Sequence, residues 1–332
     1  MTDFLVGGYG ADVDDGTGVG ISWARSHADG RFEVVGLAAE TPSPSWITVD
    51  GDRVFAALEG SGEVAAFSVS RAASTLAPRG TASSGGSLPC SLAVAGDELL
   101  IANFLTGEVA VQSIGSGDVL LAGPPAQVFA GAGGGPAAMQ DAPHAHSVLV
   151  VGDHALSVDL GSDRVYVHDW QDGALVRTDE LPLAPGSGPR DLLALPDGRV
   201  AVLTQISCEL VLLEPMGSTY EIVQVLALPG ATPVEDAAAA LGLSVDGRHL
   251  YAGIRGSDRI AVIGLDADTA YAIGWVPCGG AHPRHLVVDG AVVHVCNQKS
   301  STVTTFAIGD DGMLTSTGGP VSVPSPTCLA AL

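Results

Sequence analysis

Two histidines and three arginines are the residues best suited to chemistry in this chain. His144 and His146 lie two residues apart in PHAHSV, and Arg190, Arg255 and Arg284 occur in GPRDLL, GIRGSD and HPRHLVV. An imidazole can accept or donate a proton near neutral pH. A guanidinium group holds carboxylate or phosphate oxygens in a fixed fork. These residue types predict an anion site with an acid/base group.

Two other kinds of chemistry have weaker support. His144, His146 and Asp159 could be metal ligands, but their spacing is not distinctive of a metal site. We therefore expect no metal and no other cofactor. Cys90 follows a proline at the start of an apolar run. No base is fixed beside it by the sequence, so we interpret it as a small packing residue and not as a nucleophile.

The elements that must position these residues form a repeat. Six similar units begin at Pro44, Pro89, Pro143, Pro189, near Ala238 and at Pro283. Each unit reads as a strand, a Gly/Asp turn, a second strand, a polar turn, a third strand and a less regular fourth strand. A period of about 45 residues with four strands is typical of a β-propeller blade.

The two ends of the chain supply a seventh unit. PTCLAAL, from Pro326 to Leu332, resembles the opening of the other units, and the N-terminal DFLVGGY resembles a second strand. We therefore predict an all-β, seven-bladed propeller with four antiparallel strands per blade. Residues 1–332 would form one domain, and the C-terminal strand would close the ring inside the first blade. A β-sandwich would not explain seven equivalent starts.

Polar side chains concentrate where first strands begin and second strands end. Antiparallel strands bring these positions to one face of the ring, around its channel. The candidates that enter first strands are Cys90, Ser91, His144, His146, Arg190, Asp191, Arg284 and His285; those that leave second strands are Tyr9, Glu59, Asn103, Asp159, Gln205, Arg255 and Gln298. Structurally, the arginines could instead pair with Glu59, Asp159 and Asp191 and lock blades together.

Composition excludes several classes of function. The chain has 14 Lys and Arg against 37 Asp and Glu, a net charge of −23 at pH 7. That field repels nucleic acids and anionic membranes, so neither is expected as a partner. No apolar run is long enough for a transmembrane helix, and the N-terminus lacks the pattern of a signal peptide. The five cysteines form no CxxC motif, which favours a reduced, cytoplasmic protein. The oligomeric state stays open.

Six segments, taken in order, resemble the lactonase family of seven-bladed propellers. They are PHAHSV, VDLGSDRVYVH, GPRDLL, DGRHLYAGIRGSDRIAV, HPRHLVV and CNQKSSTV. This family includes bacterial 6-phosphogluconolactonase and fungal carboxy-cis,cis-muconate cyclase. The resemblance covers the whole chain. It implies hydrolysis of the lactone of an anionic sugar or organic acid, with a small anionic molecule as partner. It also implies that His144 or His146, Arg190 and Arg255 are catalytic.

The remaining candidates would bind substrate. They are Glu59, Asn103, Asp159, Gln205, Arg284, His285 and Gln298. In the expected mechanism His144 or His146, held by Asp159, activates water with an ionisation near about pH 6.5. The arginines stabilise the oxyanion and the anionic group of the substrate.

Three positions depart from the family pattern. A family glutamate is Gln205 here, and family histidines correspond to Ser91 and to Gly242 or a neighbour. A glutamine cannot accept a proton as a glutamate can. Glu59 or Asp159 could supply the missing carboxylate. Two alternatives stay open: a non-catalytic propeller that binds small anions, and a cyclase or isomerase acting on an unsaturated diacid.

Overall fold

Antiparallel sheets repeat seven times in the computed structural model, which describes residues 1–332. Every blade is one sheet with four antiparallel strand positions, and no helix is present. In blades 1 to 7 the first, innermost strands are Pro326–Ala331, Pro44–Asp50, Pro89–Ala95, Ala145–Val151, Pro189–Ala194, Ala237–Leu243 and Pro283–Asp289. The second strands are Thr2–Gly8, Arg53–Leu58, Glu98–Asn103, His154–Asp159, Val200–Thr204, His249–Arg255 and Val292–Asn297.

The outer half of each blade follows the same order. The third strands are Gly20–Ser26, Glu63–Ser70, Val109–Ser113, Arg164–Gln171, Glu209–Met216, Arg259–Leu265 and Thr302–Ile308. The outermost strands are Phe32–Glu40, Thr75–Ser83, Gln127–Phe129, Ala174–Pro182, Thr219–Ala227, Ala270–Pro277 and, in two short pieces, Leu314–Ser316 and Val321–Ser322. The prediction of seven blades with four antiparallel strands each is confirmed.

The ring closes inside blade 1. Pro326–Ala331 pairs with Thr2–Gly8, with Phe4 opposite Ala331 and Val6 opposite Leu329. The seven innermost strands contact one another around a complete circle. Closure gives Thr2–Gly8 an inner partner, so that blade 1 has the same four-stranded order as the other blades, and it confirms the predicted role of the C-terminal segment.

Seven separate hydrophobic cores hold the ring together, one between each pair of adjacent blades. Alternate side chains of one strand enter different cores: Phe55 and Ala57 pack against blade 3, and Val54 and Ala56 pack against blade 1. Both faces of each inner sheet are therefore buried. This explains why the strands read as continuous apolar runs and why hydrophobic residues reach 46% of the chain.

Tight turns join first to second strands on the face opposite the candidate site. Gly51 and Gly96 open two of these turns with φ of 59° and 60°. A residue with a side chain rarely adopts that conformation, so the Gly/Asp pairs of the repeat are explained by hairpin geometry.

Candidate active site

A β-bulge or similar irregularity at the start of each inner strand turns side chains towards the channel. The pairing register skips one residue in six blades and two in blade 6; the skipped residues are Thr327, Ser45, Cys90, His146, Arg190, Arg284 and, in blade 6, Ala239 and Ala240. Bulges redirect side chains in this way. All of them line a small cavity inside the channel, and Cys90, His146, Arg190 and Arg284 also line a larger cavity at its mouth. The bulge decides between the two histidines: His146 faces the channel and His144 does not.

A second ring of side chains follows the ends of the second strands. Pairing across the next hairpin sets the register, with Leu58 opposite Glu63 and Asp159 opposite Arg164. Counting one residue further gives the equivalent set Tyr9, Glu59, Phe104, Leu160, Gln205, Arg255 and Gln298. Five of these match the expectation. For blades 3 and 4 the expected Asn103 and Asp159 are one residue too early.

Asn103 and Asp159 hold turns and lie outside the cavity lining. One carboxylate oxygen of Asp159 accepts the backbone N–H groups of His144, Gly161 and Ser162 at 2.7, 2.9 and 3.0 Å. The Asn103 amide donates to the Ser84 carbonyl at 3.0 Å. A step of one residue along a strand turns a side chain to the other face, and that step separates these residues from the pocket.

A cavity of about 310 Å³ lies at the mouth of the channel. The loop before Gly20 contributes to its rim, and so does Met139 from the long connection between blades 3 and 4. Its lining residues are Tyr9, Val13, Asp14, Glu59, Leu88, Cys90, Phe104, Met139, His146, Arg190, Gln205, Arg255 and Arg284. Three guanidinium groups face two carboxylates, so this pocket is positive in a strongly acidic protein.

Arg190, Gln205 and Arg255 form one side of the cavity, which we call the arginine wall. The amide oxygen of Gln205 accepts from both guanidinium groups, at 2.8 Å from Arg190 and 2.5 Å from Arg255. Backbone carbonyls fix the two arginines further: Arg190 donates to Ala239 at 2.7 Å, and Arg255 donates to Ala238 at 3.3 Å.

No carboxylate neutralises the arginines of this wall, and none neutralises Arg284. Arg190, Arg255 and Arg284 form no ion pair with an Asp or Glu within 4.0 Å, so the alternative in which they lock blades through ion pairs does not apply. Burial, followed by the charge of Arg284, lowers the pKa of Arg190 to about 10. Burial and the other two arginines also lower the pKa of Arg255 well below its ordinary value.

His146 contacts the arginine wall as a neutral ring. Arg190 donates to its Nε2 at 2.6 Å, and a guanidinium can only donate, so the ring proton is on Nδ1. Burial, and then the charges of Arg190, Arg284 and Arg255, lower the pKa of His146 well below its usual value. The expected ionisation near neutral pH therefore does not fit His146.

His144 lies outside the cavity lining. Its ring stacks on Phe104 with centroids 4.7 Å apart, and its Nδ1 donates to the Phe104 carbonyl at 2.8 Å. Its contribution to the pocket is to hold Phe104, which does line the cavity.

Tyr9 and Glu59 form the opposite side of the cavity, the carboxylate wall. The Tyr9 hydroxyl donates to both carboxylate oxygens of Glu59, at 2.8 and 3.0 Å. Burial first, and then Glu59, raise the pKa of Tyr9 above its usual range. Arg284 stacks on the Tyr9 ring at 4.7 Å. Burial, the largest single effect, lowers the pKa of Arg284, but Tyr9, Glu59, Cys90 and Asp14 together raise this pKa above its ordinary value.

Gln298 supports the rim from outside the lining. Its amide oxygen accepts from Arg284 at 3.4 Å, and its nitrogen donates to Asp14 at 2.8 Å. The polar contact of Gln298 thus joins a pocket arginine to the loop over the cavity mouth.

One residue after each bulge, a different set of side chains fastens neighbouring blades. Ser91 accepts the Val148 N–H, Asp191 accepts the Leu241 N–H and His285 accepts the Leu329 N–H, at 3.3, 2.9 and 3.2 Å. Each acceptor lies on one inner strand and each donor on the next. The structure thus gives His285, expected to bind substrate, and Ser91, a departure from the family, roles between blades. At Gly242, the third departure from the family, a Cβ atom would lie 2.4 Å from the Leu286 side chain. Leu286 would therefore have to shift to admit a side chain at this position.

Sequence reasoning missed part of the pocket. Phe104 could have been found by counting the hairpin register from Glu59. Asp14 and Met139 come from loops that do not repeat, so no periodic signal identifies them.

No group of three His, Cys, Asp or Glu side chains could hold a metal ion, and no helix meets the length and hydropathy of a membrane span. The Cys90 thiol donates to the His146 carbonyl at 3.3 Å, and burial raises its pKa.

Comparisons with known proteins cover the full ring. Residues 3–331 match the family model Lactonase, 7-bladed beta-propeller. The chain is 29% identical over 315 residues to the 6-phosphogluconolactonase of Bacillus subtilis strain 168, covering 89% of each chain. A Bacteroides fragilis structure described as a candidate 6-phosphogluconolactonase is 26% identical with a TM-score of 0.93, covering 100% of this chain and 98% of that one. The periplasmic gluconolactonase of Pseudomonas aeruginosa is 25% identical with a TM-score of 0.90, covering 100% and 99%. The chain belongs to the lactonase family of seven-bladed β-propellers.

Proposed function

We propose that this protein hydrolyses the lactone of an anionic sugar or organic acid. Arg190 and Arg255 hold the anionic group of the substrate. Arg284, which lies between the two walls, faces the reacting carbonyl and stabilises the oxyanion. His146 is a neutral positioning group that orients Arg190. A cavity of about 310 Å³ is within the size range of small-molecule sites.

One observation carries the proposal: two buried guanidinium groups converge on a single neutral amide oxygen, at 2.8 and 2.5 Å. Burying charge without a counter-charge is costly, so an anionic ligand would bind with a large electrostatic gain. The 6-phosphogluconolactonase of Bacillus subtilis, with 29% identity, suggests a lactone of a phosphorylated sugar acid as the first substrate to try.

A direct test compares 6-phosphoglucono-δ-lactone with neutral glucono-δ-lactone, measured as acid release above the uncatalysed rate. We expect a clear preference for the phosphorylated lactone, and a loss of kcat/KM of about 100-fold in Arg190→Ala. Arg71→Ala is the matched control because Arg71 is exposed on blade 2, away from the pocket. No hydrolysis of any lactone by the unsubstituted protein would defeat the proposal.

The neutral Gln205 also favours a second candidate, a propeller that binds small anions without turning them over. That reading predicts a rise in melting temperature with 6-phosphogluconate in a protein that hydrolyses no lactone. The same pair of measurements therefore separates the enzyme from the binding protein.

A reducing compartment, the cytoplasm, is proposed on the cysteines. All five are buried free thiols, and free thiols are typical of reducing compartments. The periplasmic gluconolactonase of Pseudomonas aeruginosa shows that a related propeller also occurs outside the cytoplasm. Fractionation of the source cells, followed by immunoblotting, would decide the compartment.

A further inference from the structure

Glu59 is a buried carboxylate with few hydrogen-bond donors. The residue is 7% exposed, and it lines the cavity. Both of its oxygens share a single donor, the Tyr9 hydroxyl. A carboxylate can accept about four hydrogen bonds, so Glu59 keeps unused lone pairs in a cavity that a substrate and a water could enter.

The position of Glu59 separates it from the groups that bind charge. Glu59 is on blade 2, whereas Arg190, Gln205 and Arg255 are on blades 5 and 6, across the ring. No arginine or lysine lies within 4.0 Å of its carboxylate. Glu59 is therefore not ion-paired, and its unused lone pairs stay open to a water molecule in the cavity.

The other candidate base in the cavity is already engaged. The Nε2 lone pair of His146 accepts from Arg190 at 2.6 Å, and the three arginines oppose any further positive charge there. A proton from water would have to displace that contact. His146 is therefore poorly placed to take a proton.

We infer that Glu59 is the general base of this pocket and that Tyr9 is the residue that positions it. The inference rests on the proposed lactone hydrolysis and adds the group that moves the proton. The titratable and charged groups around Glu59 are Tyr9 on blade 1, Cys90 on blade 3, Arg284 on blade 7 and Asp14 on the rim loop.

The proposed step balances without any co-reactant other than water. Glu59 takes a proton from water while the water oxygen bonds to the lactone carbonyl carbon, and the carbonyl π pair moves onto oxygen. The intermediate then breaks its ring C–O bond, and the departing ring oxygen takes the proton back from Glu59. The product is the open hydroxy acid, which ionises at neutral pH.

The test compares Glu59→Gln with Glu63→Gln. Glu63 is exposed on the same blade and serves as the control. Glu59→Gln keeps the shape and an acceptor for Tyr9 but cannot take a proton. We expect its kcat to fall at least about 100-fold, with no loss of affinity for the product 6-phosphogluconate in calorimetry. A merely structural role would instead reduce binding and melting temperature together.

Two further variants keep the inference falsifiable if Glu59→Gln folds poorly. Glu59→Asp should retain partial turnover, because the base is kept but moved. Tyr9→Phe removes a donor that stabilises the charged carboxylate, so the acid limb of its kcat/KM profile should move to higher pH.

The outcomes separate this inference from the proposed function. Unchanged kcat in Glu59→Gln, or an unmoved acid limb in Tyr9→Phe, would overturn the role of Glu59 while lactone hydrolysis stands. A wild-type protein without lactone hydrolysis would defeat both.

Discussion

The two walls of the pocket use the same repeat positions in different ways. On the arginine wall, Arg190 and Arg255 are held by a shared amide and by backbone carbonyls. On the carboxylate wall, Glu59 has one donor partner, Tyr9. The first wall is held by neutral acceptors and carries surplus positive charge, whereas the second keeps free lone pairs. This difference separates the binding of charge from the transfer of a proton.

The propeller allows this separation because each blade presents the same two positions to the channel. Gln205 and Glu59 are equivalent residues on nearly opposite blades. One is neutral beside two arginines, and the other is charged beside a tyrosine. A ring of equivalent positions can thus place unlike groups across a cavity while the blades keep a common backbone.

Loss of the closing strand should have the largest effect, because the carboxylate wall lies where the ring closes. Tyr9 donates its backbone N–H to the Ser325 carbonyl at 3.1 Å, just before the last strand. A chain that ends at Pro324 should lose several kcal/mol of packing and aggregate through the unpaired inner edge of Thr2–Gly8. A chain that ends at Ala331 is the control. A monomeric truncation with an unchanged melting temperature would disprove the closure.

A negative charge at position 205 should remove much of the surplus positive charge that distinguishes the arginine wall from the carboxylate wall. Gln205→Glu would neutralise part of the surplus charge of Arg190 and Arg255. We expect the affinity for 6-phosphogluconate to fall about tenfold in calorimetry at fixed ionic strength. Gln171→Glu, at an exposed position, controls for net charge. Equal or tighter binding by Gln205→Glu would contradict the role assigned to the arginine wall.

Acid should weaken the fold through buried histidines, a smaller effect than the two above. Burial is the largest cause that lowers the pKa of His168, His285 and His294, each to about 4, and also that of His146. The unfolded chain binds these protons below about pH 6.5 while the native state stays neutral. Stability should therefore be full above about pH 6.5 and should fall as the pH drops towards 4.

Denaturant unfolding at pH 7, 6 and 5 measures this effect. We expect a loss of at least about 1 kcal/mol per pH unit. His294→Gln removes one titrating group that is far from the pocket, and its slope should be shallower. A free energy of unfolding that does not change between pH 7 and 5 would contradict the buried neutral state of these rings.

The blades were predictable from sequence because they rest on local signals. Turn residues, apolar runs and the copied start at Pro326 gave the seven units and the closure. The pocket was only partly predictable. A shift of one residue in the hairpin register separated Phe104 from Asn103. The bulge that turns His146, and not His144, into the channel has no local signature. Loop residues such as Met139 reach the pocket only through tertiary packing.

The most direct test of the division between the walls is a side-by-side measurement of kcat and KM for Glu59→Gln and Arg255→Ala, with 6-phosphoglucono-δ-lactone as substrate. We predict that Glu59→Gln lowers kcat at least about 100-fold with little change in KM. Arg255→Ala should mainly raise KM, by about tenfold or more. Equal losses of kcat in both variants, with KM unchanged in both, would contradict the separation of anion binding from proton transfer.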